Sequence, residues 1–289
     1  MELIFMEQVS QLIHLDYAKE QQITGKNVTI AYLDSGITMH HDFLKPHNRL
    51  ILFKDFVNHR SLPYDDHGHG THVTGIGSSS RIGVAPSSNI LSLKVLNRQG
   101  NGKARNIIRC FQWILQYKDI YQIRIVNISI GMEADSTQTH SRTLLHWVNR
   151  LWDAGLIVCI AAGNLGPAKG SVTIPGISKK IITVGASDDQ CQEDYSGRGP
   201  TKACIIKPDL TAPGTDILSC YGSSHYIKRS GTSMATPMVS GAIALYLEKN
   251  PAATNKMVKL KLRSSCDDLG YPPNQQGWGR INIQKLLND

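Results

Sequence analysis

Gly231-Thr232-Ser233-Met234-Ala235-Thr236-Pro237-Met238-Val239-Ser240-Gly241 is the stretch from which the rest of the chain can be read. A serine lies among small residues, directly before a run from Met238 to Leu247 that is apolar at helical spacing and stops at Asn250-Pro251. Pro237 fits the first turn of a helix, where a missing N–H leaves no bond unmade. The spacing therefore predicts a helix with Ser233 at its N-terminus, in the positive end of the dipole and near free backbone N–H groups. That position suits a nucleophile whose attack creates an oxyanion. It suits an ordinary serine N-cap equally well, so other segments must separate the two.

Composition bounds the answer. With 289 residues, 41% hydrophobic and 19% charged, the chain has ordinary globular composition and can bury a sizeable core. No run approaches the ~18 apolar residues of a membrane span. Met1 to Glu7 lacks the basic and long apolar regions of a signal peptide. The six cysteines form no C-x-x-C pair, and Cys110, Cys159 and Cys204 lie among apolar residues, which reads as free thiols of a cytoplasmic protein. The net charge of +8 favours anionic partners. Its basic residues are scattered, so a generally basic surface is expected, with no nucleic-acid and no membrane partner.

In chain order, a weakly helical segment spans Val9 to Glu20. Asn27 to Leu33 reads as a buried strand delivering Asp34 at its C-terminal end, where open α/β sheets place their sites. Residues 38–65 read as irregular. Asp66-His67-Gly68-His69-Gly70-Thr71-His72 opens a tightly packed, glycine-rich helix. Its three histidines lack the i, i+4 spacing and accompanying Glu of a helical zinc site, so no metal is assigned there. Further strands are expected at Ile90 to Leu96, Arg124 to Ile130, Leu156 to Ala162, Ile181 to Ala186 and Thr215 to Cys220. Amphipathic helices are expected at Ala104 to Tyr117 and Thr143 to Ala154. This alternation predicts one α/β domain with a mostly parallel central sheet and helices on both faces.

Asp34, His69, Asn164 and Ser233 then fall at one edge of that sheet. A serine hydroxyl needs a base to remove its proton and an acid to orient the base, so acid, base, nucleophile and an amide donor make a set for acyl transfer.

Asp34-Ser-Gly-Ile, His69-Gly-Thr-His-Val-Thr-Gly, Ala162-Gly-Asn164 and Gly231-Thr-Ser233-Met-Ala-Thr-Pro resemble, in order, the four signature segments of the subtilase family of serine proteases. The resemblance covers residues 24–285, nearly the whole chain, and extends to the intracellular subtilisin-like group. It implies a subtilisin-like fold and serine endopeptidase activity, with Asp34, His69 and Ser233 as the catalytic triad and Asn164 as a side-chain donor to the oxyanion. It also selects His69 as the base, leaving His72 as a packed residue and His67 as a loop residue near the cleft. Ser129-Ile130-Gly131 resembles the edge to which an extended peptide adds as a strand, and Gly100-Asn101-Gly102 the facing edge. The pocket for the residue before the scissile bond would be lined by Ser129 to Gly131, Ala161, Ala162, Gly163, Leu165 and Thr173. None of these is charged, which implies an uncharged, apolar preference. Arg98, Lys103 and Arg105 beside the facing edge imply peptide or protein substrates with acidic residues upstream. Ile174-Pro175 resembles a position where the family often has a cis peptide.

No cofactor is needed for this chemistry. Many secreted relatives build a calcium site from an early carboxylate and an Asn-rich loop. Asp42 matches the carboxylate, but Gly75 to Pro86 is short, has no carboxylate and carries Arg81, so a tight calcium site at this place is not expected, while structural calcium elsewhere stays open. Residues 1–23 read as an N-terminal extension and 24–289 as the peptidase domain. The apolar triplet Leu3-Ile4-Phe5 implies that Met1 to about Ser10 occupies the substrate groove and restrains activity, or packs on the body of the domain. A catalytically silent, peptide-binding homologue with a regulatory role is the alternative reading. An intact triad argues against it.

Overall fold

The computed structural model describes residues 8–131, 138–187 and 194–288, so the Leu3-Ile4-Phe5 triplet lies outside the described residues. The β-branched runs form strands β1 (Thr29–Asp34), β2 (Leu50–Asp55), β3 (Asn89–Lys94), β4 (Ile123–Ile128), β5 (Ile157–Ala161), β6 (Ile182–Ala186) and β7 (Leu210–Ala212). They make a seven-stranded sheet in the order β2-β3-β1-β4-β5-β6-β7, with every pairing parallel. β1 and β5 are buried at every residue. Side chains alternate between the faces of a strand, so full burial means that both faces are covered. The longer helices are α1 (His69–Ser78), α2 (Ala104–Tyr117), α3 (Gln138–Asp153), α4 (Thr232–Lys249) and α5 (Asn255–Ser265). α1 packs on α4, and α2 on α3.

Four local readings are corrected. Leu50–Asp55 lies in the stretch expected to be irregular, yet it is the edge strand β2, only partly buried over most of its length. The Thr215 to Cys220 segment does form a strand, β8 (Ile217–Tyr221), but it pairs antiparallel with β9 (His225–Arg229) as a separate hairpin. The helix expected from Val9 to Glu20 is two short pieces, residues 8–12 and Asp16–Glu20, separated by a turn. Pro237 sits inside α4 and not in its first turn. Its missing N–H leaves the Ser233 carbonyl without its helical partner.

α1 is wedged between β1 and the β8–β9 hairpin, which explains its small residues. A Cβ on Gly70 would lie 2.2 Å from the carbonyl oxygen of Gly36, so only glycine lets this helix approach the turn after β1. β1, β4 and β5 are neighbours, and their carboxyl ends lead into Asp34, Ser129 and Asn164 respectively. α4 packs across these three strands and β6, which brings its N-terminus to the same edge.

Candidate active site

Asp34 ends β1 and is 2% exposed. Its Oδ1 accepts hydrogen bonds from the Ser35 N–H and from His69 Nδ1, both at 2.7 Å. With Nδ1 donating, the Nε2 atom of a neutral His69 is left as an acceptor. The pKa of His69 lies above the ordinary 6.5. Burial opposes the charged form, but the charge and hydrogen bond of Asp34 outweigh it, with Arg229 pulling the other way. Asp34 therefore both orients the ring and favours the imidazolium that forms when a proton is taken up.

Asp65 of the preceding loop and Lys94 at the end of β3 hold this pair, and neither is legible as functional from the sequence. Asp65 accepts from Ser35 Oγ at 2.8 Å, Gly68 N at 2.8 Å and His67 N at 3.2 Å through Oδ1. Its Oδ2 accepts from Thr71 N at 2.8 Å and Thr71 Oγ1 at 2.7 Å. Ser35 Oγ in turn accepts from Gly70 N at 2.9 Å. Asp65 thus ties the turn after Asp34 to the loop and first turn that carry His69. Burial raises its pKa, yet these hydrogen bonds hold it below the usual carboxylate value. Lys94, fully buried and directly opposite Asp34 in the sheet, adds a second tie. Its Nζ donates to the Ser35 carbonyl and to Asp66 Oδ1, each at 2.5 Å.

His72 is buried, and its Nε2 donates to the Ile227 carbonyl at 3.0 Å. Burial depresses its pKa to about 3, so it is a neutral packing residue. His67 lies beside the site: its ring centroid is 6.0 Å from that of His69, and a Cβ on Gly100 would lie 2.9 Å from its Nε2.

Ser233 is the second residue of α4, and its hydroxyl donates to the Ser129 carbonyl at 2.9 Å rather than to His69. Ser129 Oγ donates to the Ser233 carbonyl at 3.1 Å, replacing the N–H that Pro237 lacks. Behind Ser129 the buried chain continues: Asn127 Nδ2 donates to Ser129 Oγ at 3.0 Å, and Ser240 Oγ to Asn127 Oδ1 at 2.9 Å. Asn164 Oδ1 accepts from both the N–H and the hydroxyl of Thr232 at 3.0 Å. With both donors on the oxygen, Asn164 Nδ2 is the end of the amide left to donate. The Ser233 N–H, in the first turn of α4, has no carbonyl four residues back inside the helix.

The residues expected at the pocket are largely brought together. Thr173 N donates to the Ala162 carbonyl at 2.9 Å. Built Cβ atoms on Gly131 and Gly163 would lie 2.2 and 2.4 Å from the Thr173 side chain, so Thr173 sits between the two chain segments. Ala161 and Ala162 are buried beneath them, and Ile130 is half-buried. Leu165 is 48% exposed, outside this packed group. Asn97 N donates to the Asn101 carbonyl at 3.0 Å and Leu96 bridges Gly102, which makes 96–102 a short hairpin. Ile174-Pro175 is cis.

Around Asp42 the residues do not fit a calcium ion. Its buried carboxylate accepts from Tyr226 OH at 3.0 Å and from Ser79 Oγ, with His41 Nε2 2.8 Å away. The neighbouring carbonyls are claimed by the buried guanidinium of Arg49, which donates to Ser78 O at 2.5 Å, to Ser88 O at 3.3 Å and to Asp42 O. The chain's own cation thus already occupies these carbonyl oxygens, the ligand type that calcium takes. His40, His41 and Asp42 each bring a ligand-type atom within 4.8 Å of the others. His40 Nδ1, however, already accepts from Asp42 N at 3.2 Å.

Comparison with known proteins identifies the family. Residues 25–279 match the peptidase S8 family, described as the subtilase family. The chain is 39% identical to the serine protease AprX of Bacillus subtilis over 92% of its own length and 67% of that protein's. It is 32% identical to subtilisin DY of Bacillus licheniformis, covering 94% of this chain and 95% of the relative. The crystal structure of a cold-adapted subtilisin-like serine proteinase superposes with a TM-score of 0.76 at 29% identity, covering 90% of each chain.

Proposed function

This chain belongs to the subtilase family and is a serine endopeptidase, and we propose that Ser233 is its nucleophile, His69 its general base and Asp34 the acid that orients the base. The 2.7 Å bond between Asp34 and His69 Nδ1, at the sheet edge that also receives the N-terminus of α4, carries this assignment. The Ser233 hydroxyl rotates from the Ser129 carbonyl toward His69 Nε2, gives up its proton and attacks the peptide carbonyl. The tetrahedral oxyanion is met by Asn164 Nδ2 and the Ser233 N–H. Expulsion of the amine with the proton from His69 leaves an acyl-enzyme, which water then hydrolyses by the same steps in reverse.

Substrate binds as an extended strand between Ser129-Ile130-Gly131 and Gly100-Asn101-Gly102. The uncharged surroundings of Thr173 support an apolar residue before the scissile bond. Arg98, Lys103 and Arg105 are exposed and without ion pairs among the described residues, which supports acidic residues upstream. Among the described residues no helix is long and apolar enough to cross a membrane. The free thiols of Cys110, Cys159, Cys204, Cys220 and Cys266 support a reducing, cytoplasmic setting.

Profiling cleavage of a peptide library tests the substrate assignment. Cuts after medium to large apolar residues, with acidic residues enriched upstream, are expected. A profile dominated by Arg or Lys before the cut contradicts it.

A further inference from the structure

One charge beside His69 has no acid of its own among the described residues. Arg229 ends β9, four residues before Ser233. A Cβ on Gly68, the residue before His69, would lie 3.5 Å from Nη2 of Arg229 and 2.9 Å from the Tyr221 ring. The side chain is half-buried, and its Nε is shut away from solvent with no hydrogen-bond partner among the described residues. The nearby acids are committed elsewhere: Asp34 to His69 and Ser35, Asp65 to Ser35, His67, Gly68 and Thr71. A buried guanidinium donor without a partner is costly in an isolated enzyme. The Nη2 end beside Gly68 is the part of the guanidinium that a partner arriving with the substrate would meet.

We propose that Arg229 is a specificity-determining residue that binds a carboxylate of the substrate next to the scissile bond. The inference rests on His69 and Ser233 being the reacting pair. A guanidinium presents a planar fork that matches a carboxylate in two parallel hydrogen bonds. Its approach to Gly68 puts that fork against the loop from which His69 projects, so a peptide lying over His69 passes within its reach. A neutral amide in the same place offers an oxygen but no charge.

The carboxylate has two sources, an Asp or Glu side chain flanking the cut or the free C-terminus of a short peptide. Peptides of one sequence, differing only as Glu or Gln at the residues on either side of the cut, separate these from pairs ending in a free acid or an amide. Measurement of kcat/KM with the wild-type enzyme and Arg229→Gln reads turnover. Fluorescence polarisation of the same peptides on Ser233→Ala, alone and combined with Arg229→Gln, reads affinity without turnover. At low salt, the acidic member of one pair is expected to be favoured about three- to tenfold. The preference shrinks at high salt and disappears with Arg229→Gln. Equal values within every pair, or a preference that survives Arg229→Gln, overturn the proposal. Because affinity on Ser233→Ala is read separately, a failure of Ser233 as nucleophile is not mistaken for a failure of carboxylate recognition.

Discussion

Ser129 and Ser233 are hydrogen-bonded to each other twice. The Ser233 hydroxyl donates to the Ser129 carbonyl at 2.9 Å, and the Ser129 hydroxyl to the Ser233 carbonyl at 3.1 Å. The second bond exists because Pro237, four residues on, cannot supply the helical N–H. The end of β4 and the start of α4 are thereby locked together at Ser233, the proposed nucleophile.

Ser129→Ala should leave the Ser233 carbonyl unpaired and destabilise the protein by about 1–2 kcal/mol. Restoring an N–H with Pro237→Ala should reduce the cost of Ser129→Ala, because the helix can then satisfy that carbonyl. Urea unfolding of the two single variants and the double variant measures this coupling. Strictly additive effects would show that Pro237 does not create the need for Ser129.

In the proposed mechanism Asp65 acts by positioning His69, through the hydrogen bonds that tie its loop to the turn after Asp34. Asp65→Asn turns one acceptor oxygen into a donor facing the N–H and hydroxyl donors around it. A decrease in kcat of about ten- to a hundredfold is expected, the scale on which small misplacements act, with KM little changed. A loss of thermal stability with kcat intact would assign Asp65 to structure alone.

Much of this site could be read from the sequence because its signals are local. β1 is a continuous apolar run that ends at an acid, and α4 announces itself by small residues before an apolar helix. Asp65 gave no comparable signal: a loop acid has no periodicity, and its role depends on the five donors that the fold gathers around it. Its place four residues before His69 was the available clue. β2 was missed because an edge strand is only partly buried, so its charged and apolar residues do not form a buried run. β8 was recognised as a strand, but its pairing with β9 depends on tertiary packing against α1. Pro237 misled through a sound rule, since prolines favour the first turn and this one lies deeper, with Ser129 compensating.

As the proposed base His69 acts only when neutral, and its pKa in the folded protein is raised above 6.5, burial being outweighed by Asp34. Activity should therefore rise with pH through a midpoint above 6.5. Asp34→Asn removes the charge that raises this pKa, so the midpoint should move down while kcat falls by several powers of ten. A pH–kcat/KM profile checks both. An unmoved midpoint in Asp34→Asn would contradict the pairing of the two side chains.

The guanidinium of Arg49 stands among the carbonyls near Asp42. Asp42→Asn should accordingly leave any calcium dependence of the melting temperature unchanged. Arg49→Met should destabilise the protein by at least about 3 kcal/mol, because several buried carbonyls lose their donor together. A calcium-dependent rise in melting temperature that Asp42→Asn abolishes would contradict this reading.

The central claim is that Ser233 becomes acylated, and a serine-reactive fluorophosphonate tests it most directly. After reaction, intact-mass and peptide-mapping spectrometry should find one adduct, on Ser233, in step with the loss of peptidase activity and absent from Ser233→Ala. An inhibited enzyme without an adduct on Ser233, or hydrolysis by Ser233→Ala near the wild-type rate, would contradict the account.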